Sequence, residues 1–285
     1  GTGKTVTLDT SKVQVTGDTA KYDISYPDTV TADVTQATTT ITDHPEKIDP
    51  LTYSGQPQAL VTAGQTNVGF LVYSLDGTNF SSEIPTGTNA DTYTVYYKVD
   101  ETADYTGVAV NTTPISVTID PKSITPTVEL SESSFLYDGT KKEPKITVKD
   151  GKTVIDSDQY ETAWDNDLTS AGTHTATITN VANGNYSFTV TAQIEIKAAT
   201  QGALKISGKP EHVYYGDTIT TLEATGGTGN GTVTWSIELG GADAEIDSTT
   251  GHLTVKAIGS VTVKATRTVP NYAPATDTCT ITVEP

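Results

Sequence analysis

Three short motifs recur in the same order at intervals of roughly 80 residues, and a chain that repeats itself at domain length must fold as an array of similar units. The first is an apolar-x-Tyr-x-Gly turn entry at Leu51-x-Tyr53-x-Gly55 and Phe135-x-Tyr137-x-Gly139, repeated more loosely at Val213-x-Tyr215-Gly216. The second is an alternating strand after a small-residue turn, at Ala90 to Tyr97, Ala171 to Ile178 and Ile258 to Val263. The third is a Tyr-containing pair, at Lys21-Tyr22, Asp104-Tyr105, Asn185-Tyr186 and Asn271-Tyr272. Each pair is followed by a closing strand, at Val30 to Val34, Ile115 to Ile119, Ile194 to Ile196 and Cys279 to Val283.

Four closing strands against three complete openings predict that the chain starts inside a unit. The expected organisation is a C-terminal part of a truncated β repeat over 1–36, then domains over 37–121, 122–198 and 199–285. The links Gln36 to Thr40, Asp120-Pro121-Lys122 and Lys197 to Gln201 are short, so neighbouring units are expected to be restrained. The chain lacks Met, an initiator included, as an excised or processed piece would.

Thr, Val, Ile and Tyr dominate while Gly and Pro interrupt every dozen residues or so, which favours strands and turns over helices. With 35% hydrophobic and 7% aromatic residues, each unit can bury a thin core. Two sheets, each apolar on one face, satisfy that pattern by packing together. The expected fold class is therefore all-β, as tandem immunoglobulin-like β-sandwich domains. Asp76-Gly77 and Asp150-Gly151 read as hairpin turns. Val233, Trp235 and Ile237 share parity, which places Trp235 as the buried tryptophan of the third strand of an immunoglobulin-like sandwich.

Particular stretches also resemble known families. Asn89 to Val95 looks like the tyrosine-corner segment of immunoglobulin-like domains, with Val95 where antibody domains carry a cysteine and His174 in the place of Tyr93 one repeat later. Residues 51 to 119, through Leu51 to Gly64 and Tyr73 to Gly77, resemble a repeat of large bacterial surface proteins. Residues 124 to 197 resemble another, through Tyr137 to Thr140 and Asn183 to Tyr186. Val213 to Thr218, Val233 to Ser236 and Ile246 to Gly251 are similar to bacterial immunoglobulin-like repeats found in adhesins. Gly3 to Leu8 and Tyr22 to Val34 look like the second half of a YDG-type surface repeat. These resemblances imply extracellular display on a bacterium within a longer array, and leave a β-grasp variant open as the alternative to a sandwich in individual repeats. They carry over no catalytic residue.

The net charge of −18 would repel a phosphate backbone and disfavours anionic membrane surfaces, so no nucleic-acid partner is expected, and no stretch approaches the roughly 18 apolar residues that membrane insertion needs. Gly1 to Thr5 matches the tail of a phosphate-binding loop, but the alternating Val6-x-Leu8 follows where a helix is required. His44, His174, His212 and His252 are scattered without ligand spacing, and Cys279 is the lone cysteine, read as a small buried hydrophobe. No Gly-x-Ser-x-Gly elbow is present. The pairs Asp156/Asp158 and Asp165/Asp167 do not continue into a calcium loop and read as solvated turns. No catalytic, cofactor-binding or metal-ligating residue is therefore assigned; the acidic surface permits weak association of divalent cations, calcium among them.

A Lys205–Asp277 intramolecular crosslink is disfavoured by parity, with Asp277 on the face of Cys279, Ile281 and Val283 and Lys205 directed outward. One candidate ligand surface remains. Phe70 and Val72 lie opposite the Leu71/Tyr73/Leu75 face, and Tyr96 opposite Val95 and Tyr97. Clustered, Phe70, Val72 and Tyr96 would form an apolar strip for a host or dietary glycan or glycoprotein, unless a neighbouring unit or long loop covers them. The function expected is a non-catalytic, monomeric stalk or spacer of a bacterial cell-surface or secreted protein. The alternatives are a glycan- or host-protein-binding module and an accessory region of a secreted glycoside hydrolase.

Overall fold

The computed structural model describes residues 3–7, 9–17, 19–21, 23, 25–26, 29–239 and 244–285. Tyr22 of the first Tyr-containing pair, Leu8, and Gly1 and Thr2 of the phosphate-loop match lie outside the described residues. Among the described residues there is no α-helix, only three-residue 3₁₀ turns at Thr10–Lys12, Thr19–Lys21 and Ser157–Gln159. Hence no helix is long and apolar enough to cross a membrane. Among the described residues no helix lies across a sheet either. Contacts divide the chain into two compact units, one of residues 1–124 with 182–187, the other of residues 125–181 with 188–285.

The first unit opens with an antiparallel ribbon, Lys4–Thr7 against Thr29–Ala32, in which Val6 faces Val30. Both valines stay exposed. From residue 37 onward a four-stranded sheet runs in the order Leu51–Thr52, Ile115–Asp120, Asp91–Val99, Leu71–Ser74. The first pair is parallel and the others antiparallel. Opposite lie Ile41–Asp43 paired with Gln65–Thr66 and Gln58–Ala59 paired with Thr86–Gly87. The alternation of the closing strand decides which side faces in: Val117 and Ile119 are buried, Ser116 and Thr118 are not. They join Leu51, Leu60, Val61, Leu71, Tyr73, Val95 and Val99 in one core drawn from both layers. Each such side chain contributes about 1.5–3 kcal/mol by leaving water.

The second unit repeats the plan. Ser134–Leu136, Thr189–Lys197, Gly172–Asn180 and Tyr160–Trp164 form a sheet with the same parallel first pair. Thr127–Leu130, Ile146–Asp150 and Thr153–Ile155 form the other sheet of this segment. Asp150 faces Thr153, leaving Gly151-Lys152 as a two-residue hairpin turn with Gly151 at φ 61°, one residue later than a turn centred on the Asp-Gly dipeptide. Asp76-Gly77 behaves differently. The chain reverses there, but over a loop of residues 74–80 that closes on the Tyr73–Ser81 bridge. Asp76 shapes that loop by accepting from the Ser74 hydroxyl, the Thr78 and Asn79 amides and the Asn79 side chain.

Beyond residue 199, Thr232–Leu239, Gly259–Thr268 and Ala275–Val283 make one sheet. Leu204–Ser207 pairs with Glu223–Gly226, and Thr218–Ile219, Leu253–Val255 and Ala244–Ile246 form a further sheet. Tyr214 bridges Glu284 in parallel, as the entry strands do elsewhere. Trp235 is buried in this core, as its parity predicts. Gly251 lies against its ring so closely that a Cβ would sit 2.6 Å from Trp235 Cε2. Asp277 is directed at the entry side, where its carboxylate accepts from the Ile206 amide at 2.7 Å, while Lys205 is exposed. Cys279 is half-buried and packs against the core.

Candidate functional site

The three residues of the expected apolar strip do not form one. Phe70 is 62% exposed, but Val72 is only 6% exposed. Alternation does send Val72 to the face opposite Leu71, and the loop 74–80 folds over that face. Gly77 lies against the Tyr96 ring, and Phe80 takes the Lys98 ammonium at 4.5 Å from its centroid, Lys98 being the cross-strand partner of Val72. Tyr96 pairs with Ser74 at the far end of this patch and is half-buried. Phe70 and Tyr96 are thus separated by the Val72/Lys98 pair, roughly 13 Å along the strands. A shared strip is replaced by one exposed phenylalanine and a covered strand.

Behind this patch, Asn111 brackets Tyr97 by accepting from its amide at 2.9 Å and donating its own amide to the Tyr97 carbonyl at 3.0 Å. The Tyr97 hydroxyl meets His44 Nδ1 at 3.0 Å, and burial pushes the phenol pKa up. In the second unit, Trp164, Leu168, Pro144 and Lys142 line an open cleft of about 730 Å³. Lys142 pairs with Asp138 at 2.6 Å and, with the Thr140 hydroxyl and amide, holds that carboxyl well below the usual carboxylate range. Among the described residues no cluster of His, Cys, Asp or Glu converges as a metal site would require.

The tyrosine corner predicted from Asn89 to Tyr93 is present. The Tyr93 hydroxyl donates to the Asn89 carbonyl at 3.0 Å. One repeat later His174 stands in its place, with Nε2 at 2.7 Å from the Ser170 carbonyl, four residues back as before. His174 is 3% exposed, and the Asp165 carboxylate lies 3.9 Å from its Nδ1.

The feature built most carefully is one the sequence displays only as a repeat marker. Within the first unit, Asn185 Oδ1 accepts from the Ala90 amide at 2.8 Å and Asn185 Nδ2 donates to Asn89 Oδ1 at 3.3 Å. The neighbouring Tyr186 ring meets Tyr53 edge to face, centroids 5.3 Å apart at 76°. Lys122 donates its amide to the Asn185 carbonyl at 2.9 Å, so the link is held by the same turn. Within the second unit the set recurs. Asn271 Oδ1 accepts from the Ala171 amide at 2.8 Å, and Tyr272 meets Tyr137 at 5.4 Å and 75°. Ala199 donates to the Asn271 carbonyl at 3.0 Å and accepts from the Ala273 amide at 2.8 Å.

Both joints therefore seat an Asn-Tyr pair on the amide before a Gly- or Asp-initiated strand and on the Tyr of an apolar-x-Tyr-x-Gly entry. At Asp104-Tyr105 the link half is kept, Ala37 donating to the Asp104 carbonyl at 2.8 Å. The Tyr105 ring lies over Gly69 instead of a second tyrosine. The signal that could have identified the joint was in the sequence: the Asn-Tyr pair and the Tyr-x-Gly entry recur with one period, one repeat out of phase.

No family model matches the chain, and no curated protein matches it. Among solved structures it is similar to Protocadherin Gamma B2 extracellular cadherin domains 3-6, at 14% identity over 87% of this chain and 71% of that one, with a TM-score of 0.26. It is also similar to human CDH23 EC21-23, at 17% identity over 84% and 99% of the two chains, with a TM-score of 0.24. A third likeness is to the C-terminal 282-residue fragment of intimin in complex with the intimin-binding domain of the translocated intimin receptor. It has 20% identity over 54% of this chain and 63% of that one, with a TM-score of 0.23. At such scores these likenesses decide nothing about this chain, and the fold rests on the sheets described above.

Proposed function

We propose that the chain is a non-catalytic run of immunoglobulin-like repeats, divided near residues 36, 121 and 198, serving as an extended stalk or spacer of a bacterial cell-surface or secreted protein. The observation that carries this reading is the joint made twice from the same parts, Asn185-Tyr186 on Ala90 and Tyr53, and Asn271-Tyr272 on Ala171 and Tyr137. A joint fixed by a directed hydrogen bond and an aromatic pair limits how far a short link can bend, which is what a spacer requires and an isolated binding domain does not. The acidic surface, with its net charge of −18, keeps such an array soluble and apart from its neighbours.

The test combines small-angle scattering with a binding screen against mucins, plant polysaccharides and matrix proteins, with and without calcium. A spacer gives an elongated monomer with no ligand. A compact particle, or saturable binding lost on Phe70→Ala, would replace this reading with a glycan- or host-protein-binding module, for which the exposed Phe70 ring is the supporting observation.

A further inference from the structure

The strand registers make the ends of the successive sandwiches comparable residue by residue. Ile119 faces Asp91, Ile196 faces Gly172 and Val283 faces Gly259. Hence Ala90, Ala171 and Ile258 occupy one structural position, immediately before the penultimate strand. The entry strands give the second half of the correspondence. Tyr53 donates its amide to the Asp120 carbonyl and Tyr137 to the Lys197 carbonyl, while Tyr214 is bridged to Glu284, which places Tyr215 at the position of Tyr53 and Tyr137.

In the first two sandwiches this pair of positions is the seat of an Asn-Tyr turn. In the last it is open. Tyr215 is 66% exposed and Ile258 59%, whereas Tyr53 and Tyr137 are half-buried and Ala90 is buried. The Ile258 amide meets no acceptor among the described residues. We infer that Ile258 and Tyr215 form a vacant socket for the Asn-Tyr turn of one further β-sandwich repeat of this same kind.

The occupant follows from chemistry seen twice in this chain. It must bring a side-chain carbonyl oxygen to the Ile258 amide and, from the next residue, an aromatic edge to the Tyr215 ring, with a link strand pairing beside it. The spacing also fits a directly connected repeat. Glu284 corresponds to Lys197 and to Asp120, so a residue joined after Pro285 takes the place of Ala199 or Lys122, the residues that bond the seated turn. The inference rests on reading the chain as a repeat array, and not on what the array carries.

The experiment is to extend the full chain after Pro285 with a second copy of residues 199–285, and separately with a second copy of residues 122–198. Amide hydrogen exchange is followed at Ile258 and Ala171, and nitration at Tyr215. The expected result is exchange at Ile258 slowed by about fivefold or more relative to the parent chain, the size of effect one hydrogen bond gives. Tyr215 nitration falls in parallel. Both effects are lost when the Asn-Tyr pair of the added copy is replaced by Ala-Ala, and the slowing at Ile258 is lost when the acceptor carries Tyr215→Ser.

Unchanged exchange at Ile258 in both extended proteins, with the added closing strands protected and therefore folded, would overturn the socket. Protection at Ile258 that appears in the parent chain as its concentration is raised would overturn it too, because the occupant would then be a second copy. Ala171 tests the array reading independently. If Asn271→Gly leaves Ala171 exchange unchanged, the joints themselves fail, whatever Ile258 does.

Discussion

His174 closes the same four-residue backbone corner that Tyr93 closes one repeat earlier, its Nε2 standing 2.7 Å from the Ser170 carbonyl where the Tyr93 hydroxyl stands 3.0 Å from that of Asn89. The two rings differ in size and chemistry, but each carries a polar atom at the distance the carbonyl needs. His174→Tyr is therefore expected to fold with the corner intact. His174→Ala leaves the half-buried Ser170 carbonyl without its partner and a hole where the buried ring stood, costing about 2–4 kcal/mol. Denaturant unfolding monitored by exchange of the Gly172–Asn180 amides separates the two variants.

Asn271 does two jobs at its joint, and substitution can divide them. Its backbone sits at φ 68°, a region asparagine tolerates and most side chains resist, and its Oδ1 accepts from Ala171. Asn271→Gly keeps the backbone and loses about 1 kcal/mol with the bond. Asn271→Ala adds strain of about 1 kcal/mol or more. Exchange at the Ala171 amide should rise in both variants, with the larger loss of joint stability in the alanine one.

Tyr272→Ala and Tyr186→Ala each remove an edge-to-face partner, worth about 0.5–1.5 kcal/mol beyond the area it buries. The exposed faces of Tyr137 and Tyr53 should then become accessible to nitration, each only in its own variant. Equal labelling of both tyrosines in either variant would mean that the joints do not act locally.

Gly251→Ala is expected to disturb the last sandwich from its core outward. The added Cβ meets the Trp235 ring at 2.6 Å, and φ is 73° at that position. The combined cost is about 2–5 kcal/mol. Red-shifted Trp235 emission, recorded in a Trp164→Phe background, reports the ring's displacement.

The loop 74–80 should lose order in acid. Asp76 is held well below its ordinary value of 3.8 by hydrogen bonds from Asn79, Thr78 and Ser74 to the charged carboxylate. A depressed folded value means the stabilisation is complete above the unfolded value and is withdrawn as pH falls below it. The Thr78 and Asn79 amide resonances should hold their native positions through neutral pH and move in the acid range. Asp76→Asn should abolish that movement.

How much could be read in advance differs residue by residue. Trp235 was legible because parity alone assigns a side chain to one face of a strand, and His174 because the corner spacing repeats. The hairpin at Asp150-Gly151 was legible to within one residue because its turn is local, with Gly151-Lys152 at its centre, whereas Asp76-Gly77 shares the dipeptide but has Ser74 and Asn79 to gather a longer loop around it. Val72 was placed on the right face, yet burial depends on what later folds over that face, and Phe80 and Gly77 do so from outside the strand. The Asn185-Tyr186 and Asn271-Tyr272 turns advertised themselves by recurrence. Their use remained hidden because Ala90 and Ala171 lie 95 and 100 residues away in sequence.

The parallel pairing of entry and closing strands has a mechanical corollary. Leu51–Thr52 runs alongside Ile119 and Asp120, and Ser134–Leu136 alongside Glu195 to Lys197. Because a sandwich's first strands lie near one end of its sequence and its closing strand at the other, tension drawn through the chain would slide such neighbours along their shared axis. Hydrogen bonds aligned across that axis are then strained together and must rupture as a set, in shear, instead of opening one by one from an end.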